Sequence, residues 1–253
     1  MTGAEVAANL RFFTAGGPRV LPVTGLVLSG VGVASRPDLA LMIQEARALG
    51  IKRITLHAGV EDLEAFHPTL GVDLVTLPLQ PSESGPSLSA GAEALLACTR
   101  AGLSGSSNTV LDAASLPLLS AVARIAASGG ATGHTFTFPF PVDGGAPGEL
   151  PPAPRAVAAL GPAVAILRAA NVPCAIKGLP ACYLGELGVD LRRSGNRWYV
   201  DADRQLERAL LFFPEVVAFH KGDVCRFCSR DGSCDGFFAA YLRRAGFPAL
   251  TAI

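Results

Sequence analysis

Apolar residues follow two spacings along this chain, one of two residues and one of three to four, and from Leu21 to Ile176 the two take turns. That alternation predicts strands followed by amphipathic helices, the pattern of repeated βα units on a parallel sheet. Strands are predicted at Val23–Leu28, Ile51–His57, Val72–Leu79, Ser107–Leu111, His134–Phe140 and Pro173–Ile176. The first helix is predicted to open at Ser35, whose hydroxyl stands three residues before the carboxylate of Asp38, and to stop at Gly50 after Leu39, Met42, Ile43, Ala46 and Leu49. A short helical piece at Asp62–Phe66 and helices at Ala92–Ala101, Leu116–Ala127 and Arg155–Ala170 follow. The two-residue period puts Phe136, Phe138 and Phe140 on one face, and the proline and glycine of Pro139–Pro154 predict a loop beyond them.

After Gly178 the pattern changes. Arg197–Val200 predicts a strand of a small hairpin, Arg204–Phe213 a helix, Cys225–Cys234 a tight loop, and Gly236–Arg244 a last helix. The organisation is therefore an α/β body of βα units over residues 1–178 and a cysteine-bearing appendix over residues 179–253.

With 253 residues, half of them hydrophobic, the chain can bury a substantial core. Its 21 basic and 21 acidic residues cancel and form no long run, which argues against nucleic acid or an anionic membrane as partner. Met1–Thr14 carries Glu5 and Arg11 and lacks the pattern of a signal peptide, so a cytoplasmic location is expected. Arg155, Gly161, Pro162 and Arg168 interrupt the most apolar stretch, Ala153–Ala170, which fits a buried helix better than a membrane span. In a reducing compartment, clustered thiols point to ligands rather than disulfides.

The arrangement Cys225-x2-Cys228-x5-Cys234 places three thiols within ten residues, beside Gly222, Asp231 and Gly232, which let the chain wrap a small object. Cys182, in the turn-like Leu179-Pro180-Ala181-Cys182-Tyr183, supplies the fourth ligand. The alternative to a metal centre is a set of small, partly buried residues. Zinc accepts four thiolates, but its structural sites commonly pair two C-x2-C units, and this chain has one. The uneven loop followed by Asp-Gly favours an iron-sulfur cluster, with zinc left open. Cys98 and Cys174 stand at apolar helix and strand positions and are expected in the core.

His57 ends a strand, and Glu61 and Asp62 follow it, so an acid-base pair is one expectation and a solvent-facing loop with a capping carboxylate the favoured one. His134, on a phenylalanine-rich strand, is expected to be a satisfied core histidine. His220-Lys221 precedes the cysteine loop, where it can tune or ligate a metal, although a histidine there is more often a surface residue. Gly30-x-Gly32 lacks the third glycine and the acidic residue of a dinucleotide fingerprint.

Several of these stretches together resemble the radical S-adenosylmethionine family, specifically members with a C-terminal auxiliary cluster of the SPASM or twitch kind. Val23–Gly59, with Arg36-Pro37-Asp38-Leu39 and the closing Arg53-Ile54-Thr55-Leu56-His57-Ala58-Gly59, resembles that family's second strand, Gly-Gly-Glu-Pro turn, helix start and third strand. Val72–Leu79 resembles its next strand, Ser107–Leu111 its fifth, and Leu179–Leu184 with Cys225, Cys228 and Cys234 its auxiliary-cluster region. The family's C-x3-C-x2-C motif is absent, Gly30-Val31-Gly32-Val33 stands in place of Gly-Gly-Glu-Pro, and the residues before Val23 hold no cysteine. The resemblance thus implies a partial (β/α) TIM-type barrel without radical-generating machinery, its first βα unit absent or remodelled. It further implies a [4Fe-4S] cluster on Cys182, Cys225, Cys228 and Cys234, and a protein partner, either a complete radical enzyme or a precursor peptide. An independent barrel enzyme acting on a small molecule and a zinc-stapled peptide-binding module are the competing expectations.

Overall fold

The computed structural model describes residues 1–16, 22–81, 88–141, 150–191, 197–212, 219–242 and 246–253. Seven strands form one all-parallel sheet in sequential order: β1 (Gly25–Ser29), β2 (Arg53–His57), β3 (Leu74–Pro78), β4 (Gly105–Val110), β5 (His134–Thr137), β6 (Cys174–Lys177) and β7 (Asp190–Leu191). Helices α1 (Gly3–Ala15), α2 (Leu39–Ala48), α3 (Leu88–Arg100), α4 (Leu119–Ser128) and α5 (Ala153–Ala169) alternate with the longer strands, and a short turn of helix at Val60–Ala65 lies between β2 and β3. Parallel neighbours need crossovers of one hand, and sequential order then stacks the helices in one layer. Accordingly α1 packs on α2, α3 on α4 and α4 on α5. No described helix is long and apolar enough to cross a membrane.

Strand register separates the sheet's faces. Ile54, Leu56, Val75, Leu77, Phe136 and Ile176 point at the helices and form the core with Leu95, Val122, Ala126, Ala163 and Leu167. The other face is polar. Ser29, His57, Thr76 and Ser106 share one register row, and Asn108 and Thr135, then Thr137 and Lys177, share the next two.

Strand and helix positions up to Lys177 match the sequence pattern within a few residues, with two differences. Helix α1 was not among the predicted elements. Thr2 caps it, its hydroxyl accepting the Glu5 N–H at 3.3 Å while the Glu5 carboxylate accepts the Thr2 N–H at 2.6 Å. Helix α2 starts at Leu39 instead of near Ser35, because the Asp38 carboxylate is drawn into a two-bond contact with the Arg36 guanidinium at 2.8 and 2.9 Å.

The appendix departs further. Leu210–Phe212, predicted helical, forms β9, antiparallel to β8 (Arg197–Tyr199), after a single turn at Leu206–Arg208. Tertiary contact overrides helix propensity there: Leu206 adopts φ 52°, and its N–H donates to the Asn9 side-chain oxygen at 2.8 Å. Phe213 lies outside the described residues. The predicted last helix opens instead with a strand, β11 (Phe237–Phe238), antiparallel to β10 (Phe219–His220). It then runs as α7 (Ala239–Leu242), and residues 243–245 are outside the description, as are residues 142–149 of the predicted Pro139–Pro154 loop.

Candidate metal centre

Lys177 ends β6, and Gly178 turns the chain toward the cysteines. With φ 84°, and with the space a Cβ would take only 2.9 Å from the Phe138 carbonyl oxygen, this position calls for glycine. Pro180 then introduces the one-turn helix α6 (Ala181–Leu184), which presents Cys182. The other three thiols come from the loop between β10 and β11. A turn of helix at Asp223–Phe227 carries Cys225, the Cys228 N–H donates to the Cys225 carbonyl at 3.1 Å, and the Cys234 N–H donates to the Arg230 carbonyl at 3.0 Å. Aromatic packing fixes this region on the carboxyl ends of β5 and β6. Phe138 meets Phe237 and Phe247 at 6.0 Å, Phe219 stacks on Phe238 at 4.7 Å, and the Tyr241 hydroxyl donates to the Pro139 carbonyl at 2.9 Å.

The four predicted ligands are brought together: Cys182, Cys225, Cys228 and Cys234 border one small cavity of about 20 Å³, with Lys221, Asp231, Leu250 and Thr251. All four are half-buried and none is in a disulfide. Main-chain N–H groups aim at the sulfurs. Ala181 and Gly236 donate to Cys234 at 3.4 and 3.3 Å, and Arg230 donates to Cys228 at 3.4 Å. Such donors stabilise negative charge on sulfur, the form in which cysteine binds metal. Burial pushes the Cys182 thiol pKa up, an N–H bond from Thr251 partly offsets this, and the neighbouring Cys234 adds to the rise. Among the described residues, no three His, Cys, Asp or Glu side chains form a group that could hold a metal ion as they stand.

Cys98 and Cys174 lie apart from this cavity, and burial pushes both thiols up to about 12, as suits core residues. His57 does not pair with Asp62. That carboxylate is buried, accepting N–H groups from Ala34 at 2.9 Å and Gly59 at 3.1 Å, while Glu61 is exposed. The capping role is thus the one observed. His57 keeps an exposed ring edge, yet its surroundings withdraw enough solvent to lower its pKa, and the charge of Arg197 adds to the shift.

His134 is only half satisfied: Nδ1 bonds the Ser107 hydroxyl at 2.7 Å, and Nε2 is buried with no partner among the described residues. Val31, in the Gly30–Val33 turn, is 93% exposed. His220 is exposed, whereas Lys221 reaches the cysteine cavity. The spacing of the cysteines did not reveal the Asp231 partner of that lysine, nor the passage of Leu250 and Thr251 along the cavity, because both depend on how distant segments meet. No protein-family model and no curated protein matches the chain.

Proposed function

We propose that the chain is a catalytically degenerate relative of the radical S-adenosylmethionine enzymes. In this reading it holds an auxiliary [4Fe-4S] cluster on Cys182, Cys225, Cys228 and Cys234 and acts with a partner protein in peptide modification or cofactor maturation. The observation that carries this reading is the gathering of four thiols, from two separate segments, around one cavity with N–H groups aimed at their sulfurs. That donor set fits a thiolate-held metal, and soft sulfur ligands favour iron-sulfur clusters or zinc. When bound, a cluster with four cysteine ligands supplies one-electron transfer and leaves no iron position for a substrate.

A partial barrel is part of the same proposal. Sequential parallel order is that of a (β/α) barrel wall. The segment after β7 also returns to the opposite edge, where Trp198 meets Phe13 of α1 at 5.1 Å and the Leu206 N–H bonds Asn9. The chain lacks C-x3-C-x2-C, and Gly30–Val33 offers no carboxylate to a cosubstrate amino group, so any radical must come from the partner.

One observation favours a second reading, an independent enzyme or small-molecule binder: the polar sheet face with His57, Thr76, Asn108, Thr137 and Lys177. The deciding experiment is metal and acid-labile sulfide analysis of protein purified without oxygen, with its absorption spectrum. Iron, sulfide and broad charge-transfer absorption support the cluster. Stoichiometric zinc without iron after anaerobic reconstitution supports a zinc staple instead, and no metal leaves the second reading standing.

A further inference from the structure

We infer that Lys221 and Asp231 form a charge pair that sets the electron affinity of the group held by the four cysteines, an inference that rests on the metal-centre reading above. Lys221 follows β10, and its Nζ donates both to the Asp231 main-chain oxygen at 2.6 Å and to the Asp231 carboxylate at 2.9 Å. Both residues border the cavity that the four thiols border. The close approach has a backbone cause. At Gly236, with φ 86°, a Cβ would lie 2.2 Å from the His220 carbonyl oxygen, so glycine lets the end of the cysteine loop pass directly against the strand that carries Lys221.

The geometry therefore sets one positive and one negative charge at the rim of a thiolate-rich cavity. One-electron reduction adds a negative charge inside that rim, the electron coming from an external low-potential one-electron donor, with no bond formed or broken and no proton moved. The ammonium favours that added charge and the carboxylate opposes it. The two side chains are 34% and 49% exposed, so water screens each contribution without abolishing it.

The same pair also ties the cysteine loop to β10, and a mere tie makes a different prediction. Removing either partner breaks the ion pair, so a structural clamp would move the centre's properties the same way in both variants. Charge tuning moves them in opposite directions. Asp231→Asn is the cleaner variant, because the bond from Lys221 to the Asp231 main-chain oxygen does not need the carboxylate.

The test is a dithionite titration of the anaerobically reconstituted full chain, followed by visible absorption. Lys221→Met should lower the reduced-to-oxidised ratio at a fixed potential by up to about tenfold, which is about 59 mV for one electron. Asp231→Asn should raise the ratio by a similar factor, and Lys221→Arg, which keeps the charge, should stay within about threefold of the wild-type ratio. Shifts of Lys221→Met and Asp231→Asn in the same direction, or no shift in either, overturn the inference. If Lys221→Met retains no iron, Asp231→Asn alone decides: a raised ratio supports the inference, and an unchanged or lowered one overturns it. Wild-type protein that takes up no iron would instead overturn the metal-centre reading, and this inference with it.

Discussion

Cys228 and Cys98 are both free thiols, and their surroundings assign them different work. Cys228 accepts a main-chain N–H and borders the shared cavity, whereas Cys98 is fully buried on α3 with its thiol pushed up to about 12 by burial. Cys228→Ala should therefore abolish metal retention, while Cys98→Ala should leave metal content unchanged and cost about 1 kcal/mol of stability from lost packing. Equal metal loss in the two variants, measured side by side, would mean that the ligand assignment is wrong.

His134 gives a second prediction at this scale. Burial holds its pKa down at about 3, against 6.5 for the free side chain. The unfolded chain then binds a proton that the folded chain refuses between those values. Stability from this residue is thus complete above about pH 6.5 and falls as pH drops toward 3, by about 1.4 kcal/mol per unit through most of that window. His134→Gln, which keeps a partner for Ser107, should flatten the urea midpoint between pH 5 and 7 relative to the wild type. Parallel pH profiles for the two proteins would show that His134 is not the group responsible. The sequence identified this histidine as a core residue but not its unpaired Nε2, since pairing depends on what lies across the sheet.

Among the elements, α1 and the β8–β9 hairpin depend on each other through Asn9. This buried side chain accepts the Leu206 N–H at 2.8 Å and donates to the Glu5 carbonyl at 2.8 Å and to Gln205 at 3.1 Å. Asn9→Ala should destabilise the protein by about 1–3 kcal/mol by leaving buried polar groups unpaired. It should also speed limited proteolysis between residues 197 and 212, and a cleavage pattern unchanged from wild type would count against this coupling. The cue for α1 was present in the chain: Thr2 and Glu5 stand at capping-box spacing, and Ala7, Leu10 and Phe13 recur every three residues along a buried stripe. The strand at Leu210–Phe212 carried no such cue, because contact with α1 decides its conformation. Strand β7, at two residues, is too short for any period to mark. At the junction of sheet and cysteine region, Gly178→Ala should cost about 1–3 kcal/mol through left-handed strain and contact with Phe138. Thermal denaturation checks this, and an unchanged midpoint would show that the junction relaxes freely.

Across the whole molecule, the two-residue and helical periods were enough to place the strands β1–β6 and helices α2–α5, because each βα unit buries its own apolar stripe. They could not tell which strand face meets the helices, so the polar rows through His57, Thr76 and Ser106 emerge only from register. The cysteine cavity was legible for a different reason. Three thiols lie close in sequence, and Cys182 sits in a turn that local residues enforce, whereas Lys221, Asp231, Leu250 and Thr251 join the site by tertiary contact. On the proposed function, the isolated protein with strong reductant and S-adenosylmethionine should yield no 5′-deoxyadenosine above a no-protein control. The measurement that bears most directly on the metal centre is iron and acid-labile sulfide per chain after anaerobic reconstitution, for wild type and Cys228→Ala in parallel. The account predicts roughly four of each with brown colour in the wild type and neither in the variant. Stoichiometric zinc without iron in the wild type, or iron and sulfide retained equally by Cys228→Ala, would contradict it.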